Sequence, residues 1–230
     1  MNIFYAPPGQ IHEDTLEITG REAHHASRVL RYGEGDAITV VDGEGGWFEG
    51  EVGNVYEDIL LVKISKREKR ERPLPRRILG LAIIKKRDRL EFAVEKAVEL
   101  GASEIALFRS EHTVKGSVNI DRIESIALSA MKQSLRCWLP EIRQLDSLDA
   151  VLQHYADCDI LAAHEKSGVE SDIPGDSSGS YLLLVGPEGG FADGEIKNIE
   201  SSGGRIVSLG KYRLRAETAA IVFLGKFIAG

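Results

Sequence analysis

The chain has 230 residues, 43% of them hydrophobic and 28% charged, long enough to bury a core as one large domain or two small ones. Cys137 and Cys158 lack metal-ligand spacing and cannot build a disulfide framework, no run of about 18 apolar residues offers a membrane span, and Met1–Pro8 shows neither a basic leader nor an apolar signal core, so a cytoplasmic protein is expected. The formal net charge of −7 argues against a nucleic-acid partner, yet residues 76–145 carry 13 basic and 9 acidic side chains, a local surplus that can engage phosphates.

The first seventy residues read as β-rich. Alternating runs at Ala37–Val41, Trp47–Val55 and Ile59–Ile64 are divided by turn signals at Asp42–Gly46 and at Glu57 and Asp58. A helix is expected over Arg21–Leu30, with Thr19 as its N-cap and His24 and His25 on or beside one face. Gly43–Gly46 has strands on both sides and reads as a hairpin turn, not a nucleotide loop. Together these elements suggest a small barrel with an inserted helix. Ser65–Pro75, a charge run with two prolines, is the clearest linker, either a solvated hinge or a basic contact for RNA.

Beyond the linker the pattern alternates β and α. Ile78–Ile84 is a continuous apolar run, suited to a strand covered on both faces. Leu90, Ala93, Val94, Ala97 and Val98 recur at helical spacing, and Gly101 can cap that helix. Strands are expected at Ile105–Phe108, Asp159–Ala163 and Tyr181–Val185, and helices at Asp121–Cys137, Asp193–Ser201 and Glu217–Ala229; Ser167–Ser180 reads as a mobile loop. Such alternation means a parallel α/β sheet, whose ligands bind beyond the carboxyl ends of its strands.

Two segments fall at such ends: Leu182–Phe191, which contains Gly186-Pro187-Glu188-Gly189-Gly190, and Leu209–Ala220, in which Arg213, Arg215 and Glu217 follow Gly210. Glycines let the backbone turn tightly and approach a ligand, and the second segment adds dense charge. The first lacks the Lys-Ser/Thr of a P-loop and the Gly-x-Gly-x-x-Gly of a dinucleotide site. No His-Glu-x-x-His or paired-cysteine motif supports a metal.

These two segments together resemble the RsmE-type ribosomal RNA (uridine-N3) methyltransferases of the SPOUT superfamily. So do Arg28-Val29-Leu30-Arg31, Glu91 with Lys96 and Glu99-Leu100-Gly101, Ser110-Glu111, and Gln133 with Arg136 and Pro140, so that the likeness spans nearly the whole chain. The resemblance implies a PUA-like RNA-binding domain over residues 1–70 and a methyltransferase domain over residues 76–230. In the latter a C-terminal trefoil knot threads the chain near Leu209–Leu214. It also implies S-adenosyl-L-methionine as cofactor, 16S ribosomal RNA or the small ribosomal subunit as substrate, and a homodimer; the alternatives are a related SPOUT methyltransferase acting on another RNA position, or a non-catalytic RNA-binding protein.

By the same resemblance the cofactor contacts Ala163, His164, Gly186, Pro187, Glu188, Gly189, Gly190, Leu209, Gly210 and Leu214, with Glu188 as a charge complement. Methyl transfer to uracil N3 requires loss of its proton, so the enzyme must remove it or stabilise the anion. Arg215 and Arg136 are the candidates to meet that charge or RNA phosphate, and Glu217 and Glu188 are the candidate bases. Glu217 reads equally as a carboxylate well placed in a helix first turn. Arg28 and Arg31 are expected on RNA, and Arg213 on RNA or a partner subunit. Two features depart from the family pattern: Leu135 stands where a glycine is usual, and Tyr212-Arg213 where an arginine precedes an aliphatic residue.

Overall fold

A computed structural model describes residues 2–56, 58–114, 117–165 and 179–226. The expected loop at Ser167–Ser180 thus lies outside the described residues except for its last two positions. The chain forms two compact units, Met1–Arg72 with Met131–Leu139, and Pro73–Ala130 with Pro140–Gly230.

In the first unit, β1 (Ile3–Tyr5), β2 (Thr15–Thr19), β3 (Ala37–Val41), β4 (Gly46–Val55) and β5 (Ile59–Lys69) form one sheet in the order β1-β3-β4-β5-β2. All pairs are antiparallel except β1 with β3. Alternate residues of each strand point to one side, and Phe4, Leu16, Ile18, Ile38, Val40, Val52, Leu60 and Val62 bury a common core with Ala23 and Ala26. Those alanines come from α1 (Gly20–His24) and the π-helical turn His25–Val29 that continues it. The expected uniform helix is therefore interrupted: Leu30 N–H reaches His25 O at 3.0 Å, one residue further back than an α-helix allows. Thr19 occupies the N-cap position without capping; its hydroxyl accepts from Gln10 Nε2 at 2.9 Å.

The linker reading also needs correction, since Ser65–Lys69 belongs to β5. Lys66, Arg67, Glu68 and Lys69 pair in register with Glu49, Phe48, Trp47 and Gly46. The Arg67 guanidinium lies 5.6 Å from the Phe48 ring centroid and that of Arg70 3.7 Å from Trp47. A charge run makes a good strand when aromatic rings take its cations and its backbone completes a hairpin.

The second unit holds β6 (Arg76–Ala82), α2 (Arg87–Glu99), β7 (Glu104–Phe108), β8 (Glu141–Leu145), α4 (Leu148–His154), β9 (Asp159–Ala163), β10 (Ser180–Val185), α5 (Asp193–Ser201), β11 (Arg205–Val207) and α6 (Ala216–Gly225); α3 (Ile120–Gln133) begins in this unit. Six parallel strands run in the order β11-β9-β10-β6-β7-β8. On one face Ile78, Ala82, Ala106, Phe108, Ile160, Ala162, Leu182 and Leu184 meet Leu148, Val151 and Leu152 of α4 and Ile199 of α5. The intervening Leu79, Leu81, Ile105, Leu107, Leu161 and Leu183 are also buried, and α2 and α6 pack together, with α6 lying against β6 and β10. Burial of both faces is why the central strands read as unbroken apolar runs.

Both long connecting helices end in the same hydrogen-bond motif. At α2, Gly101 N–H bonds Val98 O at 3.0 Å and Ala102 N–H bonds Ala97 O at 2.9 Å; at α3, Leu135 bonds Lys132 at 3.1 Å and Arg136 bonds Met131 at 3.0 Å. This closure needs a left-handed residue, supplied at φ 84° by Gly101 and at φ 56° by Leu135. A Cβ in that conformation costs about 1 kcal/mol. The motif ends α3 at Gln133, four residues before the expected Cys137.

Candidate active site

Loops at the carboxyl ends of β7, β9, β10 and β11 surround a cavity of about 800 Å³ within the second unit. Its wall includes Ala163, His164, Gly186, Pro187, Glu188, Gly189, Gly190, Leu209, Gly210 and Leu214, together with Arg213 and Arg215. The main-chain bond from His164 N–H to Val207 O, 3.0 Å, sets the β9 loop beside the β11 loop.

The Gly-rich turn is closed by Gly190 N–H bonding Pro187 O at 2.9 Å. Gly190 has φ 72°, and a Cβ there would meet no protein atom within 4 Å. The residue therefore leaves free volume at the cavity wall, in a conformation other side chains rarely adopt. Gly189 is tighter: its Cβ would lie 3.0 Å from the His112 Cβ. The His112 ring approaches Gly190 O through Nδ1 at 3.1 Å. Glu188 accepts from the Lys85 N–H at 3.2 and 3.4 Å through its two carboxylate oxygens.

Glu195, at the third position of α5, ties this wall together. Its Oε2 accepts from Ala192 N–H and Ser110 Oγ, both at 2.9 Å, and its Oε1 accepts from Glu111 N–H at 3.1 Å. One carboxylate thus caps α5 and fixes the β7 loop that carries His112.

The β11 loop is braced by Ser208, whose Oγ donates to Gly210 O at 3.2 Å and accepts from Gly210 N–H at 3.4 Å. Arg213 pairs with Glu165 (Nε to Oε2, 3.0 Å) and donates from Nη2 to Glu188 O at 3.3 Å. It thereby joins three of the loops. Arg215 is exposed at the N-cap of α6, and among the described residues its guanidinium has no ion-pair or hydrogen-bond partner.

Glu217, by contrast, lies in the first turn of α6 with only 7% of its surface exposed, outside the cavity wall. Its Oε1 is 3.5 Å from the Arg89 Nε, and its Oε2 has no protein partner among the described residues. Arg89 itself lines the cavity. Arg28 and Arg31 are exposed on and after the π-helical turn of the first unit, and Arg136 follows the end of α3 in that same unit.

Among the described residues no cluster of metal-ligating side chains exists, and no helix is long and apolar enough to cross a membrane. Burial raises the thiol pKa of Cys137, and burial with the neighbouring Asp157 charge pushes that of Cys158 up to about 11. A raised pKa keeps both thiols protonated near neutrality, the less reactive form.

A family model for an RNA methyltransferase domain matches residues 70–228, and one for the PUA domain of RNA methyltransferases matches residues 18–65. The chain belongs to this RNA methyltransferase family, within which it groups with the proteins named ribosomal RNA small subunit methyltransferase E. The Bacillus subtilis protein of that name is 32% identical over 225 residues, covering 91% of this chain and 88% of its own. Two solved structures share the fold over nearly their full length. One is a Legionella pneumophila methyltransferase in complex with bound S-adenosylmethionine (28% identity, TM-score 0.87, 99% of this chain and 96% of that one). The other is a Neisseria gonorrhoeae ribosomal RNA small subunit methyltransferase E bound to the same cofactor (26%, TM-score 0.86, 100% and 97%).

Proposed function

We propose that the protein transfers a methyl group from S-adenosyl-L-methionine to N3 of a uridine in the 16S RNA of the small ribosomal subunit. The observation that carries this reading is the cavity itself. Its volume of about 800 Å³ lies in the range of small-molecule sites, and its wall combines the Gly186–Gly190 turn with the loops after β7, β9 and β11. Relatives of the same fold hold S-adenosylmethionine. Gly186–Gly190, Ala163, His164, Leu209, Gly210 and Leu214 would hold the cofactor, which supplies an electrophilic methyl on a sulfonium.

The chain's own residues handle the acceptor. Arg215, free of partners among the described residues, meets the negative charge left on uracil when N3 loses its proton. Glu188 lines the cavity and is exposed, so it is the proton acceptor in this reading. Glu217, buried against Arg89, keeps that arginine at the cavity wall. Arg28, Arg31 and Arg136 contact RNA from the first unit, a PUA-like barrel.

The same reading carries the homodimer, the trefoil knot around Leu209–Leu214 and a cytoplasmic location beside the ribosome. Ile221 and Val222 of α6 keep part of their surface exposed while Phe223 and Leu224 are buried, which leaves an apolar edge for a second copy. Mass mapping of ribosomal RNA from cells with and without the protein tests the reaction: one uridine should lose a methyl when the protein is absent. An unchanged map overturns the assignment. Light scattering tests the dimer, which fails if active protein is only 25.2 kDa at micromolar concentration.

A further inference from the structure

We infer that Tyr212 is a stacking platform for an unpaired nucleobase at the mouth of the cavity; this rests on the RNA reading above. Tyr212 lines the cavity with 79% of its surface exposed. The backbone that presents it is anchored on both sides. Upstream, Ser208 brackets Gly210. Downstream, Arg213 is held by Glu165 and the Glu188 carbonyl, and Ala219 N–H bonds Arg215 O at 2.8 Å where α6 begins. A loop tied at both ends thus presents a ring that is largely exposed.

The neighbouring charges select the ligand. Lys211 Nζ lies 6.0 Å from the ring centroid, at the limit of a cation–π contact. Arg213 is neutralised by Glu165, whereas Arg215 has no partner among the described residues. A flat π-face beside an available ammonium and guanidinium matches a nucleotide, whose base stacks while its phosphate meets the cations. A base inside a duplex cannot offer its face to a side chain, so the occupant is a single-stranded or flipped-out nucleotide.

The experiment compares wild type with Tyr212→Ala, Tyr212→Phe and Tyr212→Trp. Affinity for a fluorescein-labelled oligouridylate of about 12 nucleotides, and for a duplex RNA of equal length, is read by anisotropy. Methylation kcat/KM on small-subunit RNA, calorimetric S-adenosylmethionine affinity and melting temperature are measured alongside. Tyr212→Ala should weaken single-strand binding by roughly 5- to 100-fold and lower kcat/KM with it. Duplex affinity, cofactor affinity and melting temperature should hold, and Phe and Trp should restore single-strand binding. Wild-type single-strand affinity in Tyr212→Ala, failure of Phe and Trp to rescue, or no single-strand binding by wild type overturns the platform. Tyr212-dependent binding without methyl transfer to any RNA instead leaves the platform standing and overturns the proposed reaction.

Discussion

The two loops that share the cavity are built in opposite ways. Gly186–Gly190 is shaped by main chain: a tight turn, a φ of 72° at Gly190, and support from His112, Lys85 and, through the β7 loop, Glu195. Residues 209–215 are shaped by side chains: Ser208 and Arg213 brace the loop while Tyr212 and Arg215 point outward unbraced. The first loop offers a surface on which a ligand can lie. The second adds to its own cofactor contacts the exposed side chains that meet the acceptor. Mutations should therefore separate affinity from turnover.

The largest expected effect is at Arg215. Losing anion stabilisation of this type costs about 3 kcal/mol, on the order of a hundredfold in rate. Arg215→Ala should lose that much kcat, and Arg215→Lys should also be impaired because the planar donor fork is gone. Cofactor affinity and melting temperature should stay at wild-type values. Methylation at the wild-type rate by both variants would remove Arg215 from the mechanism.

Next comes Gly190→Val, which puts a β-branched residue at positive φ and fills the open volume. Calorimetry should show S-adenosylmethionine affinity down by about tenfold or more because the side chain takes up space the ligand needs, while the backbone strain, roughly 1–3 kcal/mol, lowers the melting temperature. Gly190→Asn tolerates the backbone conformation and isolates the steric part. Undiminished affinity in both would exclude the turn from the cofactor site.

Glu195→Ala should act through folding and not through chemistry. It removes a helix cap and leaves the Ser110 and Glu111 donors without their acceptor, a loss of about 1–2 kcal/mol that denaturant melts will register. Cofactor affinity should fall only as far as the β7 loop relaxes. The smallest effect is expected at Arg213→Ala, whose ion pair has side chains 70% and 46% exposed. Such pairs contribute under about 1 kcal/mol, so its melt should match wild type and its cofactor affinity should shift by a few-fold at most. A large drop there would mean that the Arg213 bridge to Glu165 and Glu188 holds the cofactor-contacting loops in place.

The sequence made some of this legible for identifiable reasons. Strands Ala37–Val41 and Asp159–Ala163 and helix Asp193–Ser201 coincide with the ranges read from pattern alone, because alternation or an apolar run is bracketed there by polar and glycine residues. The edge strands β8 and β11 escaped: Glu141–Leu145 and Arg205–Val207 are short, half-exposed and charged, so no apolar run announces them. The end of α3 escaped because a leucine gives no sign of adopting a left-handed conformation. At the cavity the glycines pointed to the turns, whereas Arg89, His112, Glu165 and Glu195 come from scattered segments and belong to no motif in the sequence. Only the parallel sheet, which gathers its carboxyl ends at one edge, brings them together.

That sheet also sets a timetable for synthesis. β6 is the first strand of the second unit to be made, yet its neighbours are β7 and β10, with Ile78 opposite Leu182 in the latter. Until β10 arrives, the half-sheet β6-β7-β8 carries an unpaired edge whose Ile78, Leu79 and Leu81 are fully buried in the finished fold. Translation of the intervening chain takes on the order of ten seconds. During that interval the nascent protein displays an adhesive apolar strand, and a chain stopped before Ser180 keeps it. The chain from Ser180 onward therefore acts as the cover that ends this exposure, and aggregation of prematurely terminated chains is the outcome this topology predicts.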